Sequence, residues 1–391
     1  MIPNGCVVRC PACSHRGWSV DKSESTKKEW LQQVLRQWPI ESVRGIRGDT
    51  EDRRWYYRNK VCLRAEWKSG EWAFGVRRRK EGARSHHARD YEVIDIRSCP
   101  VHSHEVKKVL EHISRALPGP DLLPLCFVAI SGKQLTLVLK AADISEATKK
   151  ILIDRLRLVE LGLEGLHVNL NPSTGNRVFS SGGWRQIWGV PFSRAVGGGM
   201  YGPNSFQQLI PALYEDALRE CVEFFGVAAG HRILDLCSGT GASIRRWRGA
   251  GAETLGVELG GESVRCADEI LGEGSVLRGR VSERLPQLEA WGPADFVFAN
   301  PPRLGLEEGV PIWIAEVAKP QKIAYLSCSA GTLARDLSLL SNSGYGVRRI
   351  IPYDFFPQTH HIEVLALLER GGRDSIFRSS DLRSSDRDHG R

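Results

Sequence analysis

The sequence predicts an α/β protein in two parts, a doubly wound parallel C-terminal domain preceded by an α+β domain. Three observations predict it. Beyond residue 200, short apolar strands alternate with amphipathic helices; a break at Gly197-Gly198-Gly199 separates that half from the first; and the first half carries alternating, aromatic-rich segments of the antiparallel kind. A chain of 391 residues has room for two or three domains. We expect an N-terminal and central domain over 1–196, a second domain over 197–370, and a disordered tail over 371–391 rich in Ser, Arg, Asp and Gly.

Each element follows from its pattern. Residues 1–30 are Cys-rich and polar, and 27–37 reads as a short helix. Alternation over 61–67 and 71–76 predicts paired strands; 133–139 and 186–190 continue the sheet, with a helix over 144–160. In the second half, 233–236, 254–258, 296–300 and 323–327 are short apolar strands, while 262–271 and 332–340 are amphipathic helices.

The formal net charge of +8 is concentrated. Between Arg44 and Arg89 stand 14 basic and 6 acidic residues, so the rest of the chain is neutral. Arg53-Arg54 and Arg77-Arg78-Arg79-Lys80 are interleaved with Trp55, Tyr56, Tyr57, Trp67, Trp72 and Phe74. Cations that neutralise phosphates and rings that stack on bases make a nucleic-acid surface; a solvated basic sheet with its aromatics turned into a core has the same composition. No apolar run approaches the roughly 20 residues of a membrane span, and the start lacks the charged and apolar blocks of a signal peptide. A soluble, cytoplasmic protein is expected, with no membrane and no obligate protein partner. Its ten cysteines then read as metal ligands or nucleophiles rather than disulfides.

Four motifs carry chemistry. The predicted strand ending Asp235-Leu236 runs into Cys237-Ser238-Gly239-Thr240-Gly241, and Glu258 ends the next strand. Glycines at a strand end admit a ligand close to the backbone, and the acid suits ribose hydroxyls. The Gly-x-Gly-x-x-Gly pyrophosphate fingerprint is missing, so S-adenosylmethionine fits better than a dinucleotide. Asn300-Pro301-Pro302-Arg303 ends the fourth strand, at the edge where such sheets bind ligands. Cys328 follows the strand 323–327 just before a helix, whose N-terminal amides favour a thiolate. Glu363 opens the last strand and can serve as a general base. Finally, Cys6-x3-Cys10-x2-Cys13 with Cys99 offers four thiolates to an iron–sulfur cluster or a zinc ion. Cys62, Cys126, Cys221 and Cys266 read as core residues.

The segments 327–337 (Ser-Cys-Ser-Ala-Gly-Thr-Leu-Ala-Arg-Asp-Leu) and 354–363 (Asp-Phe-Phe-Pro-Gln-Thr-His-His-Ile-Glu) closely resemble the RNA 5-methyluridine methyltransferase family. Ser205-Phe206-Gln207-Gln208 is similar to that family's Phe-Phe-Gln-x-Asn cofactor segment, and Tyr57-Arg58-Asn59-Lys60 to its Tyr-Arg-Asn-Lys strand. The resemblance implies a Rossmann-like S-adenosylmethionine methyltransferase domain behind an iron–sulfur and RNA-binding domain. It implies methylation of carbon 5 of a uridine in ribosomal or transfer RNA. Cys328 would add to carbon 6 and Glu363 would remove the carbon 5 proton. Gln208, Asp235, Cys237, Gly239, Gly241, Ala242, Glu258 and Asn300 would hold the cofactor. Cys6, Cys10, Cys13 and Cys99 would hold a four-iron, four-sulfur cluster. The family's N-terminal RNA-binding barrel has no counterpart before the cysteines, which puts RNA contacts on the basic aromatic stretch or the cleft.

The sequence departs from the family pattern at several places. The family's Asp-Pro-Pro-Arg reads Asn300-Pro301-Pro302-Arg303, Cys237 and Ala242 replace an aromatic and an amide at the cofactor, and Ile210 and Ser329 stand where the family has Asn. A stranded polar group there would weaken cofactor binding by about 1–3 kcal/mol. Two other readings remain open: an exocyclic-amine methyltransferase using Asn300-Pro301-Pro302, and a non-catalytic RNA-binding or ribosome-assembly factor.

Overall fold

The computed structural model describes residues 2–45, 54–80, 82, 90–173, 175 and 177–371. The expected tail, apart from Gly371, lies outside them, as do Arg53 and the end of the basic stretch around Arg84 and Arg89. Among the described residues the strands form two seven-stranded sheets and a two-stranded ribbon, and no helix is long and apolar enough to cross a membrane.

Helix α1 (Val20–Val34) begins earlier than its apolar pattern, because Ser19 caps it by accepting from the Lys22 amide. It does not join the first sheet. Leu31, Leu35, Trp38 and Val43 are buried in the core of the second domain with Tyr325, Leu337 and Ile350. The chain from Ile40 to Arg44 then runs parallel to an edge strand of that domain, the Glu41 amide donating to the Ile350 carbonyl at 2.9 Å and the Arg44 amide to that of Pro352 at 2.8 Å. That contact covers a sheet edge which would otherwise be open.

The first sheet is built from β1 (Lys60–Lys68), β2 (Glu71–Arg79), β3 (Tyr91–Asp95), β4 (Leu125–Ser131), β5 (Gln134–Leu139), β6 (Gly165–Leu170) and β7 (Trp184–Gly189), in the order 3-2-1-4-5-6-7. All neighbours are antiparallel except β5 and β6. Helices α2 (His104–Ala116) and α3 (Glu146–Leu156) cover one face, where Val61, Leu63, Trp72 and Phe74 meet Val109, Ile113 and Leu152. Two-residue periodicity sends the alternate positions to the other face. There Arg64 lies 4.7 Å over the Phe127 ring and Arg77 3.7 Å over Tyr91. The basic aromatic stretch is thus divided: Trp72 and Phe74 are core, and the arginines are displayed opposite. Cys62, expected in the core, is exposed for the same reason, and Cys126 is only partly buried; Cys221 and Cys266 are buried.

Short strands β8 (Ser193–Arg194) and β9 (Met200–Tyr201) and helix α4 (Pro211–Phe225) lead into the second domain. Its strands are β10 (Arg232–Leu236), β11 (Glu253–Glu258), β12 (Val276–Arg278), β13 (Phe296–Ala299), β14 (Lys322–Ser327), β15 (Tyr345–Tyr353) and β16 (Glu363–Arg370), ordered 12-11-10-13-14-16-15. The first five are parallel, while β16 is antiparallel to both β14 and β15. Helices α5 (Ala242–Gly249), α6 (Gly261–Leu271), α7 (Val281–Trp291), the short α8 (Val310–Trp313) with the π turn Ile314–Ala318, and α9 (Ala330–Asn342) complete it. This is the doubly wound sheet expected from the alternation, with its switch point at β10.

Candidate active site

A cleft of about 1060 Å³ opens at the carboxyl edge of the second sheet. It is large enough for a nucleoside cofactor and a base together. Gln208, Cys237, Gly239, Ala242, Glu258, Asn300, Cys328 and Glu363 all line it.

The turn after β10 is shaped by its backbone. Cys237 (φ +64°), Gly239 (φ +58°) and Gly241 (φ +80°) occupy the left-handed region. At Gly241 a Cβ would also fall 2.5 Å from Leu271 Cδ1, so a larger residue there would have both to adopt a strained φ and to displace that side chain. Glu258 is oriented by two amides: Gly239 donates to Oε2 at 3.0 Å and Gly260 to Oε1 at 2.6 Å. Its remaining lone pairs are available to a bound ribose. Burial pushes the Cys237 thiol up to about 12, with Glu258 adding to the shift, so this residue is a neutral wall. Asp235 does not reach the cleft. It is fully buried, accepts from Trp247 Nε1 at 2.8 Å, and is raised to about 7 by that burial. Gly241 likewise shapes the turn without lining the cavity.

The first domain closes the cleft from above. Asn59 and Lys133 line it; the Lys60 ammonium donates to the Ser205 carbonyl, and Gln207 Nε2 donates to Ser131 Oγ at 2.9 Å. On the other side Glu262 Oε1 accepts from the Asn204 and Ser205 amides at 2.8 and 2.6 Å. The segment leading to Gln208 is therefore anchored in both domains.

Cys328 and Glu363 meet through sheet register. Ser327 at the end of β14 pairs with Val364 near the start of β16, so Cys328 and Glu363 emerge on adjacent strands at the same edge. Because β16 is antiparallel, it is its beginning that lies at the carboxyl edge. Burial pushes the Cys328 thiol up and the Glu363 charge adds to this, while the Arg303 guanidinium pulls it down. The Arg303 carbonyl accepts from Thr332 Oγ1 at 3.1 Å, tying its loop to α9. Glu363 is only 4% exposed, and desolvation raises its carboxyl to about 7. Arg303 and Asn59 belong to the site although sequence pattern assigned neither a role; both stand inside the motifs Asn300-Pro301-Pro302-Arg303 and Tyr57-Arg58-Asn59-Lys60.

The four cysteines come from two turns that touch. Gly5 (φ +87°) packs so closely on the Cys99 turn that a Cβ would lie 2.4 Å from the Ser98 carbonyl oxygen. Cys13 is pushed up to about 12, first by burial and then by the Cys99, Cys10 and Cys6 thiols, with Arg58 opposing. Burial also raises Cys99, against the amides of Val101 and His102. Among the described residues, no group of three or more His, Cys, Asp or Glu side chains is arranged to hold a single metal ion.

The parallel sheet with a cofactor-sized cleft at its switch point and an antiparallel last hairpin defines a Rossmann-like methyltransferase fold. A solved tRNA (uracil-54, C5)-methyltransferase from Pyrococcus abyssi, in complex with S-adenosyl-L-homocysteine, shares this fold: TM-score 0.68, 20% identity, over 93% of this chain and 88% of that one. Residues 280–371 match the family model described as tRNA (Uracil-5-)-methyltransferase. The 23S rRNA (uracil(1939)-C(5))-methyltransferase RlmD of Shewanella piezotolerans is 25% identical over 375 residues, 93% of this chain and 80% of that protein. An RNA methyltransferase of Clostridium acetobutylicum is 27% identical over 340 residues, 81% of this chain and 71% of the other. The chain is thus similar to RNA uracil-5 methyltransferases, over residues 280–371 by the family model and over most of its length by these relatives.

Proposed function

We propose that this protein transfers a methyl group from S-adenosylmethionine to carbon 5 of a uridine in ribosomal or transfer RNA. The observation that carries the reading is the pairing of Cys328 with a buried Glu363 at the floor of a nucleotide-sized cleft. Uracil carbon 5 is too weak a nucleophile to attack a sulfonium unaided. Addition of the Cys328 thiolate to carbon 6 makes carbon 5 enolate-like. Arg303 favours that thiolate, and the α9 N-terminus adds to its effect. S-adenosylmethionine, when bound, supplies the methyl group to carbon 5. Glu363 then takes the carbon 5 proton, the 5,6 double bond re-forms, and the carbon 6–sulfur bond breaks to return Cys328. A carboxyl raised to about 7 is matched to this work near neutral pH. Glu258 fits the ribose, and Gly239 lets the cofactor approach the backbone.

RNA would meet Arg194, Arg246 and Arg280 in the lining of the cleft, and Arg64, Arg77 and Arg79 offer a second basic surface on the helix-free face of the first sheet. Cys6, Cys10, Cys13 and Cys99 stand on two touching turns, near enough for the other three thiols to raise Cys13, and four thiolates are the ligand set of a four-iron, four-sulfur cluster. Such a cluster would supply a cross-link between those turns.

Nucleoside mass spectrometry of separated ribosomal and transfer RNA from a deletion strain beside its parent tests the reaction. Loss of 5-methyluridine from one fraction is expected. Loss of a different methylated nucleoside, or no loss combined with no binding of S-adenosylmethionine at millimolar concentration, overturns it. Anaerobic purification should yield iron and sulfide, and zinc alone would overturn the cluster.

A further inference from the structure

The cysteine segment is bonded to the loop that carries the general base. Between β15 and Glu363 the chain passes through residues 354–362, and contacts from the first 54 residues hold it along its length. Lys27 Nζ donates to Asp354 Oδ1 at 2.6 Å and to the Phe356 carbonyl at 3.1 Å, and this ion pair is buried, at 0% and 4% exposure. Arg54 donates to the Pro357 carbonyl at 2.6 Å. The His15 amide donates to the Gln358 carbonyl at 3.1 Å. Ser14 Oγ accepts from the His360 amide at 2.9 Å and lies 3.2 Å from His360 Nδ1.

The same segment is fixed at its other end to the Cys99 turn. Gly5 abuts Ser98, Arg9 pairs with Glu92, and Arg16 donates to the Val7 and Val8 carbonyls at 3.1 and 2.9 Å. His15 Nδ1 meets Ser23 Oγ at 2.9 Å, locking Ser14 and His15 to the start of α1. Ser14, His15 and Lys27 do not line the cleft, so its chemistry gives no account of them. Their contacts nonetheless end three residues from Glu363. Within the loop the Thr359 amide reaches the Phe356 carbonyl and the His361 amide reaches Thr359 Oγ1, while the exposed His360 makes its hydrogen bonds with Ser14. A proton acceptor works only when held within a fraction of an ångström of its target.

We propose that Ser14, through its two contacts with His360, is a positioning residue for Glu363, and that the Cys6–Cys13 segment is a brace whose assembly sets how fast the carbon 5 proton leaves. The inference rests on the methyl-transfer reading above. It separates two halves of the reaction. Addition of Cys328 to carbon 6 and methyl transfer need no Glu363; release of Cys328 does, because the carbon 6–sulfur bond breaks only as the carbon 5 proton is taken up. A loosened brace therefore traps a methylated RNA–protein adduct.

The test uses the full chain, methyl-labelled S-adenosylmethionine and the RNA fraction identified above, with denaturing gels for adduct and hydrogen exchange for the loop. Ser14 is exposed, so Ser14→Ala should leave the melting temperature and cofactor binding unchanged. It is expected to slow product release by about 10- to 100-fold, accumulate adduct as Glu363→Gln does, and speed exchange at the His360 amide. Ser14→Thr keeps the hydroxyl and should restore all three. Cys13→Ser should loosen the same amide and accumulate the same adduct. Wild-type release by Ser14→Ala, or slow release with no adduct, overturns the brace while Glu363→Gln still traps RNA. No adduct from Glu363→Gln and no 5-methyluridine from the wild type would instead overturn the methyl-transfer reading, and the brace with it.

Discussion

The cleft and the cysteine segment gather distant residues by different means. In the cleft, Cys328, Asn300, Cys237 and Glu258 are delivered by the ends of parallel strands, and inter-strand hydrogen bonds fix their spacing. Around the cysteines no strand does this; two turns are joined by a glycine contact, an ion pair and a few carbonyl acceptors. A sheet edge positions groups through its backbone, so single side-chain changes leave its geometry standing. A site made of turns depends on side-chain contacts, and each is a point of failure. Glu363 belongs to both regimes, being set by register on one side and preceded by a loop that the N-terminal segment holds on the other.

Substitutions can sharpen that contrast. On the proposed mechanism, in which the thiol acts covalently, Cys328→Ala should abolish turnover while leaving S-adenosylmethionine binding by calorimetry unchanged. Glu363→Gln should lower kcat by roughly 10²–10⁴-fold and trap RNA covalently, as seen on a denaturing gel. For the wild type, product formation in single turnover should rise with pH through about 7, the region in which the Glu363 carboxyl becomes able to accept a proton. Glu258→Gln keeps the size but loses one acceptor for amides that now face an N–H. Cofactor affinity should fall by about 1–3 kcal/mol, read as a Kd by titration.

The smallest effect concerns stability, and its sign follows from burial. Glu363 is raised from 4.5 to about 7, so the fold favours its protonated form. Its contribution is fully present below pH 4.5 and is lost as pH rises through 7. Glu363→Gln removes this cost, and the variant should be more stable than the wild type by about 3 kcal/mol at pH 8 and nearly equal to it at pH 4.5, measured by urea unfolding. Asp235 carries a shift of the same sign, so some loss of stability with pH should persist in the variant.

Much of the second domain was legible because its strands are short, apolar and bounded by glycine, and because ligand-binding turns sit at their ends. The glycine turn, Glu258 and Asn300 stood out on that basis, while Cys328 and Glu363 were carried by the family resemblance of their segments. Asp235 looked like a ligand by position alone; its strand carries it inward onto Trp247, which no spacing reveals. The basic stretch was legible in composition but not in orientation. Which of Trp72 and Arg77 faced the core depended on where α2 lay. Helix α1 was visible as a helix, yet Leu31 and Leu35 give no sign of which core they enter.

By itself the sequence determined the alternation of strands and helices in the second half, the candidate residues and the localisation of charge, because these depend on local pattern and residue type. The tertiary structure alone decided that β16 runs antiparallel and so returns Glu363 to Cys328, that Leu31, Leu35, Trp38 and Val43 enter the second domain's core, and that the cysteine segment reaches the loop before Glu363. The first rests on the pairing of β16 with β14 and β15, and the last on contacts between residues more than 300 positions apart, such as Lys27 with Asp354 and Ser14 with His360; chain direction and partner choice beyond local range are set by packing the whole core rather than by any local sequence.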